Sequence, residues 1–145
     1  MTIKQLSIFI ENKAGRLETV LSLLKDAQIQ LIATTLADTA DFGILRILCA
    51  DTSRAYDVLT KAGVAVTYTD VFAIEIDNRP GMAADAMASF ARAGIDVSYL
   101  YSFLLGGRGV LIFRTSDTER AREIIVLEKL RFLTDEALLR LATGK

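Results

Sequence analysis

Two short loops of this 145-residue chain have the composition of a binding site for a small carboxylate. Residues 11–17 read Glu-Asn-Lys-Ala-Gly-Arg-Leu, and residues 77–83 read Asp-Asn-Arg-Pro-Gly-Met-Ala. In each loop a glycine separates a strand pattern from a helix pattern, which lets the backbone approach a ligand closely. The N–H groups and the dipole at the start of the following helix favour a negative charge. A tight turn without a ligand would explain the same residues, so the loops alone leave both interpretations open.

The residue types that the sequence lacks limit its chemistry. It contains no histidine and one cysteine, Cys49, which lies in an apolar stretch. A histidine general base, a Ser-His-Asp or Cys-His pair and a His/Cys zinc site are therefore impossible. We expect no catalytic residue, no metal and no cofactor. The catalytic alternative that remains is a small carboxylate enzyme, in which Asp77 and Asp96 act as acid and base if burial separates their pKa values.

The two loops occupy equivalent positions in an internal repeat. An offset of 66 residues places Gly15 on Gly81 and aligns residues 6–59 with the second half of the chain without a gap. This repeat is too long for a solenoid unit and matches a small complete domain. We therefore predict two units, residues 1–69 and 70–145, of which the second ends in a short extra helix.

Each unit shows the order strand, helix, strand, strand, helix, strand. Residues 6–10 alternate in the manner of a half-buried strand, and residues 17–24 carry one apolar helix face. In the second unit the next strand is expected from about residue 95, and Asp51 and Asp117 should cap the second helices. The order βαββαβ predicts an α+β fold of two tandem ferredoxin-like units, with antiparallel sheets that carry their helices on one face.

Charge and hydropathy restrict the partners. The net charge is −1, so no strong field attracts nucleic acid or an anionic membrane. No apolar run approaches the roughly 20 residues of a membrane span, and no signal-peptide pattern is present. We expect a cytoplasmic protein without membrane or nucleic-acid partners.

One strand pattern nevertheless leaves an RNA-binding alternative open. Tyr99, Tyr101 and Phe103 share one strand face, and exposed aromatic residues on ferredoxin-like sheets can stack on bases. The expected central strand, residues 109–114, lacks the basic and aromatic run that RNA-reading sheets carry. We interpret the aromatic residues as packing against the helices or against a partner unit.

The combination of loop, helix and next strand resembles the ACT domain. Two runs of residues show the resemblance. They are Asn78-Arg79-Pro80-Gly81, which follows an acidic strand end, and Gly94-Ile95-Asp96-Val97, which follows the helix. ACT domains are small amino-acid-sensing modules found on phosphoglycerate dehydrogenase, acetolactate synthase regulatory subunits and aspartokinase. The resemblance covers nearly the whole chain as two tandem copies without a catalytic domain, most like the stand-alone tandem ACT proteins of bacteria. It implies a regulatory protein that is not an enzyme, binds a free amino acid and modulates amino-acid metabolism through a biosynthetic enzyme.

The resemblance also implies where the ligand binds, because ACT units pair sheet edge to sheet edge and hold an amino acid at the seam. In the second unit the matching residues and their neighbours are Asn78, Arg79, Pro80, Gly81, Met82, Ala83, Asp96, Val97 and Tyr99. A second site in the first unit would consist of Asn12, Lys13, Ala14, Gly15, Arg16, Leu17, Gln30 and Leu31. The first unit departs from the family pattern at Ala14, where proline is usual, and at Gln30, where Asn or Asp is usual. These departures leave it either a structural copy or a site of different selectivity.

Sheet edges and hydropathy favour self-association. Four-stranded sheets leave edges that proteins must protect or pair. The mean hydropathy of +0.36 implies more apolar surface than a chain of this length hides easily. We expect a homodimer.

Overall fold

The computed structural model describes residues 1–38 and 41–144, so residue 145 of the second predicted unit lies outside it. The chain divides into two compact units, one formed by Lys4–Thr69 and the other by Met1–Ile3 and Asp70–Lys145. Each unit has its own hydrophobic core. None of the helices in the described part of the chain is both long and apolar enough to cross a membrane.

The first unit follows the predicted order of elements. These are β1 (Ile3–Glu11), α1 (Arg16–Asp26), β2 (Leu31–Asp38), β3 (Phe42–Cys49), α2 (Thr52–Lys61) and the start of β4 (Val66–Ile76). The strands lie in the order β2-β3-β1-β4, and β3 pairs antiparallel with both β1 and β2. Next to the start of β4, the N–H of Phe9 donates to the carbonyl of Ala65 at 3.0 Å.

The core of the first unit lies between this sheet and its two helices. Leu6, Ile8 and Ile10 of β1 are buried, together with Leu45 and Ile47 of β3. Against them pack the apolar faces of α1 and α2, whose buried members are Val20, Leu24, Ala55 and Leu59. The apolar residues that alternate along the strands therefore pack against the apolar residues that recur along the helices, and together they form one core.

The second unit repeats this arrangement with the end of β4 as its first strand. Its further elements are α3 (Met82–Arg92), β5 (Tyr99–Leu105), β6 (Arg108–Arg114), α4 (Thr118–Leu127), β7 (Arg131–Phe132) and α5 (Asp135–Thr143). β6 pairs antiparallel with β4 and β5, and β7 pairs antiparallel with β4. The ferredoxin-like order βαββαβ is thus confirmed in both units.

The caps of the second helices also agree with the sequence. The side chain of Asp51 accepts a hydrogen bond from the N–H of Arg54, and Asp117 accepts one from the N–H of Arg120, each at 3.2 Å. Both interactions satisfy a donor of the first helical turn that otherwise has no intrahelical partner.

Strand β5 begins at Tyr99, four residues later than the sequence pattern predicts. Ile95 closes α3, because its N–H donates to the carbonyl of Phe90 at 3.0 Å and its side chain is buried in the core. Asp96 and Val97 therefore belong to the connection between α3 and β5. The alternation of apolar and polar residues continues from Ile95 into β5, so the sequence pattern did not reveal where the connection ends and the strand begins.

The register of β5 corrects one interpretation of its aromatic residues. Tyr101 pairs with Ile112 and Phe103 with Val110. The residues of β6 that join the core beneath α3 and α4 are instead Leu111 and Phe113. Directly paired residues lie on the same face of an antiparallel sheet, so the aromatic residues lie on the face opposite the helices. Packing against the helices is therefore wrong.

Candidate ligand-binding site

The loop from β4 to α3 has the backbone conformation expected of a strand-to-helix ligand loop. Gly81 precedes α3 with φ 86° and ψ −9°, in the left-handed region that glycine adopts without strain. In the described part of the chain no side chain caps α3, unlike α2, α4 and α5. The N–H of Met82 donates to the carbonyl of Arg79 at 3.4 Å, so the N–H groups that can bind a ligand carboxylate or water are those of Ala83 and Ala84.

A cavity of about 540 Å³ opens beside this loop. Its walls are the loop and the start of α3, the C-terminal end of β5 and the N-terminal half of β6. Five of the predicted residues line it: Asn78, Arg79, Gly81, Met82 and Ala83. Its volume is in the range of small-molecule pockets, about 300–1,000 Å³. Pro80 is exposed and does not belong to the walls.

Gly109 is a second glycine that this cavity needs. It lies in β6 opposite Ile76, the last residue of β4. A Cβ atom at this position would lie 2.7 Å from Cγ1 of Ile76. The absence of a side chain thus lets the two strands close the floor of the cavity.

Arginine side chains converge on Asp77 at the edge of the cavity. Arg108 Nη1 donates to Oδ1 at 2.6 Å, Arg131 Nη2 donates to the same oxygen at 3.1 Å, and Arg79 Nη2 donates to Oδ2 at 3.4 Å. Arg108 also donates to Oε1 of Glu75 at 3.0 Å. These bonds, from Arg108 first and then from Arg131 and Arg79, lower the pKa of Asp77 to about 2. The carboxylate is therefore ionised throughout the physiological pH range.

Sequence reasoning missed Arg108 and Arg131 as neighbours of the loop. Arg108 follows Gly106 and Gly107 at the start of β6, and Arg131 begins β7. β4 pairs with both β6 and β7, and this pairing places the start of β6 and the start of β7 beside the end of β4. A prediction of strand register would have been required.

The remaining predicted residues of the second unit lie at the other end of its sheet. Tyr99 pairs with Arg114, whereas the loop end of β4 pairs with Gly109. Arg114 lies five positions after Gly109 in the same strand, a distance of about 16 Å at roughly 3.3 Å per residue. Asp96 and Val97 precede Tyr99 and lie farther still from the loop. Within one unit, the structure does not bring them together with Gly81.

The corresponding loop of the first unit has a similar backbone but different contacts. Gly15 has φ 85°, and no side chain in the described part of the chain caps α1. Asn12, Lys13 and Ala14 are exposed, and Nζ of Lys13 lies 3.1 Å from Oε2 of Glu11. Leu17 packs on the core.

Gln30 and Leu31 lie at the far end of the first unit's sheet, as Asp96 and Val97 do in the second. Leu31 pairs with Cys49, the last residue of β3. Gln30 is exposed and donates from Nε2 to the carbonyl of Leu31 at 3.1 Å. The predicted second site is thus also divided between two ends of one sheet.

The fold and the loop together define a class of protein, a pair of ferredoxin-like units with an uncapped glycine loop at the start of each first helix. The family model for an ACT domain pair matches residues 1–142, and the chain belongs to this family. The tandem ACT interpretation of the sequence is thereby confirmed.

Solved structures agree with this assignment. A protein of Bacteroides thetaiotaomicron with a known crystal structure is 36% identical, with a TM-score of 0.90 over 97% of both chains. The regulatory subunit of aspartate kinase from Thermus thermophilus is 13% identical, with a TM-score of 0.58 over 86% of this chain and 90% of that one. Its counterpart from Thermus flavus is 15% identical, with a TM-score of 0.57 over 97% and 90%. At these identities the two subunits share the fold. No curated protein sequence matches the chain.

Proposed function

We propose that this ACT pair is a regulatory protein that binds a free amino acid and modulates an enzyme of amino-acid metabolism, without catalytic activity of its own. The observation that carries the proposal is the cavity beside Gly81, in a chain of the ACT family. The fold shared with regulatory subunits of aspartate kinase supports a regulatory role. We place the protein in the cytoplasm.

The chemistry of the cavity suits the carboxylate end of an amino acid. The N–H groups at the start of α3 can bind this carboxylate, and Asn78 can donate or accept a hydrogen bond. The ligand ammonium needs an acceptor, and Asp77 is already surrounded by arginines. We assign that role to Asp96, provided by a neighbouring ACT unit as the family resemblance implies.

The carboxylate-enzyme alternative is disfavoured by the state of Asp77. With a pKa of about 2 it carries no proton to donate near neutral pH. It is also a weak base there, because arginine hydrogen bonds stabilise its ionised form. The RNA-binding alternative requires exposed aromatic faces, but Tyr99, Tyr101 and Phe103 are partly buried.

A thermal-shift screen over the twenty amino acids tests the proposal. A ligand at about one hundred times its dissociation constant adds about 2.7 kcal/mol to the free energy of unfolding. For a chain of this size the melting temperature should rise by about 5–10 °C. If no amino acid changes the melting temperature, the chain does not sense free amino acids.

A further inference from the structure

The cavity beside Gly81 has small side chains in two of its walls. Ser102 lies in the wall that the edge strand β5 forms, and Ala83 lies in the first turn of α3. The offset of 66 residues that relates the two units places Leu36 on Ser102 and Leu17 on Ala83. The first unit therefore has a leucine at both positions where the second unit has a small residue.

Strand pairing shows that Leu36 and Ser102 are structurally equivalent. Leu36 pairs with Leu45, and Ser102 pairs with Leu111. Leu45 and Leu111 belong to the cores that the helices cover. Because directly paired residues lie on the same face of an antiparallel sheet, Leu36 and Ser102 both lie on the helix side of an edge strand.

In the first unit the side chain of Leu36 covers a glycine of the neighbouring strand. A Cβ atom at Gly43 would lie 3.0 Å from Cδ1 of Leu36. At the equivalent Gly109, the nearest such atoms belong instead to Ile76 of β4. The side of this space that faces the edge strand is thus filled by a leucine in the first unit and left open in the second.

The first helix of each unit borders the same space from the other side. Leu17, in the first turn of α1, is partly buried and packs on the core of the first unit. Ala83, in the first turn of α3, is exposed and lines the cavity. An apolar side chain gains free energy when it covers apolar surface, so the two leucines favour a filled space without any ligand.

We propose that the chain has one amino-acid site, in the second unit, and that the small side chain of Ser102 is what opens it. The side chain of the bound amino acid lies in the space that Leu36 fills in the first unit. Leu36 is therefore a built-in substitute for a ligand, and the first unit is a structural copy. This inference rests on the proposed function and adds to it the residue that distinguishes the two units.

Methyl NMR of the full chain tests the position of the ligand. The probe is a pool of the twenty amino acids, each raised to about 1 mM, which populates sites with dissociation constants in the millimolar range or below. The methyl signals of Met82, Ala83 and Leu111 should shift in a saturable manner, whereas those of Leu17 and Leu45 should not. Saturable shifts of both sets, or of the first unit's set alone, would overturn the proposal.

Three variants test the role of Ser102. Ser102→Leu installs the residue of the first unit and should weaken binding of the pool at least about tenfold, because the leucine occupies the space of the ligand side chain. Ser102→Ala keeps the space open and should bind as the wild type does. Ser98→Leu, at an exposed position just before β5 and outside the cavity, should also leave binding unchanged. Equal affinities of Ser102→Leu and the wild type, or equal losses in Ser102→Leu and Ser102→Ala, would overturn the role of Ser102.

Melting temperatures without ligand test whether leucine fills the space. Ser102→Leu should raise the melting temperature by about 3 °C, and Leu36→Ser should lower it by about as much, because each changes the apolar surface that is covered. Ser98→Leu should leave it unchanged. Equal melting temperatures of Ser102→Leu, Leu36→Ser and the wild type would overturn this proposal but not the proposed function. A wild type without any methyl shift would overturn both.

Discussion

At the scale of single residues, Asp77 shows how the second unit uses charge. A carboxylate bound by arginines remains ionised, and its proton affinity differs between the folded and unfolded chain. Its pKa is about 2 in the folded protein, below the ordinary value of 3.8. The associated stabilisation is therefore complete above the ordinary pKa and is lost as the pH falls toward 2.

The corresponding prediction concerns Asp77→Asn. Between about pH 4 and pH 2 the free energy of unfolding of the wild type should fall more steeply than that of the variant, because only the wild type protonates this group. Urea denaturation at several pH values measures the difference. Asp96→Asn, outside the arginine cluster, serves as the control and should follow the wild type. Parallel curves for wild type and Asp77→Asn would contradict the assignment.

Asp96 provides the residue-scale prediction for the proposed amino-acid site. Asp96→Ala removes a charged partner of the ligand ammonium and should weaken binding by about 1.5–3 kcal/mol, roughly 10–150-fold. The fold should survive because Asp96 is exposed. Gln30→Ala, the equivalent change in the first unit, should cost much less. Titration calorimetry with an amino acid found in the thermal screen compares the affinities of the two variants. A larger loss of affinity in Gln30→Ala than in Asp96→Ala would contradict the site that we propose.

At the scale of elements, the starts of the helices divide into two kinds. Asp51 and Asp117 cap α2 and α4 with a side chain, whereas α1 and α3 begin at glycines without such a cap in the described structure. The caps stabilise α2 and α4. At α1 and α3 the N–H of the first helical residue donates to a loop carbonyl, and the N–H groups of the next two residues can bind a ligand or water. The same division appears in both units, as expected for copies of one domain.

The cap of α4 leads to a stability prediction. Asp117→Ala should lower the free energy of unfolding by about 1 kcal/mol, within a range of roughly 0.5–2, because the N–H of Arg120 loses its acceptor. Asp117→Asn keeps an acceptor and should retain most of that stability. Chemical denaturation of the three proteins measures both effects. Equal losses in the two variants would mean that the cap hydrogen bond is not the cause.

At the scale of the whole molecule, the open edges of the sheets are the surfaces at which we expect copies to associate. β5 is the edge strand of the second unit's sheet, and Leu100 on this strand is 42% exposed. An open edge with apolar side chains favours pairing with another chain. Sedimentation at micromolar concentration should therefore give about twice the chain mass of 15.9 kDa.

A charge on this edge should weaken the dimer that we propose. Leu100→Lys should shift the mass toward that of the monomer, because a lysine on an edge strand opposes strand pairing. Leu127→Lys adds the same charge on α4, where Leu127 is 74% exposed, and should leave the mass unchanged. A wild-type monomer at these concentrations would contradict the proposed homodimer.

The duplication, the order of elements and the family could be recognised in the amino-acid sequence without a structure. The offset that aligns Gly15 with Gly81, the apolar periodicities and the caps at Asp51 and Asp117 are local features of the chain, and they led to the ferredoxin-like pair. Local patterns carry this information because hydrogen bonds of helices and caps join residues close in sequence.

Contacts between residues that are distant in the chain depend on how the strands pair in the folded protein. Strand register brings Arg108 and Arg131 to Asp77, and it separates Asp96 from Gly81 within one unit. It also assigns Tyr101 and Phe103 to the helix-free face. A shift of register by one residue would exchange the two faces of a strand, and residue types alone do not specify that choice.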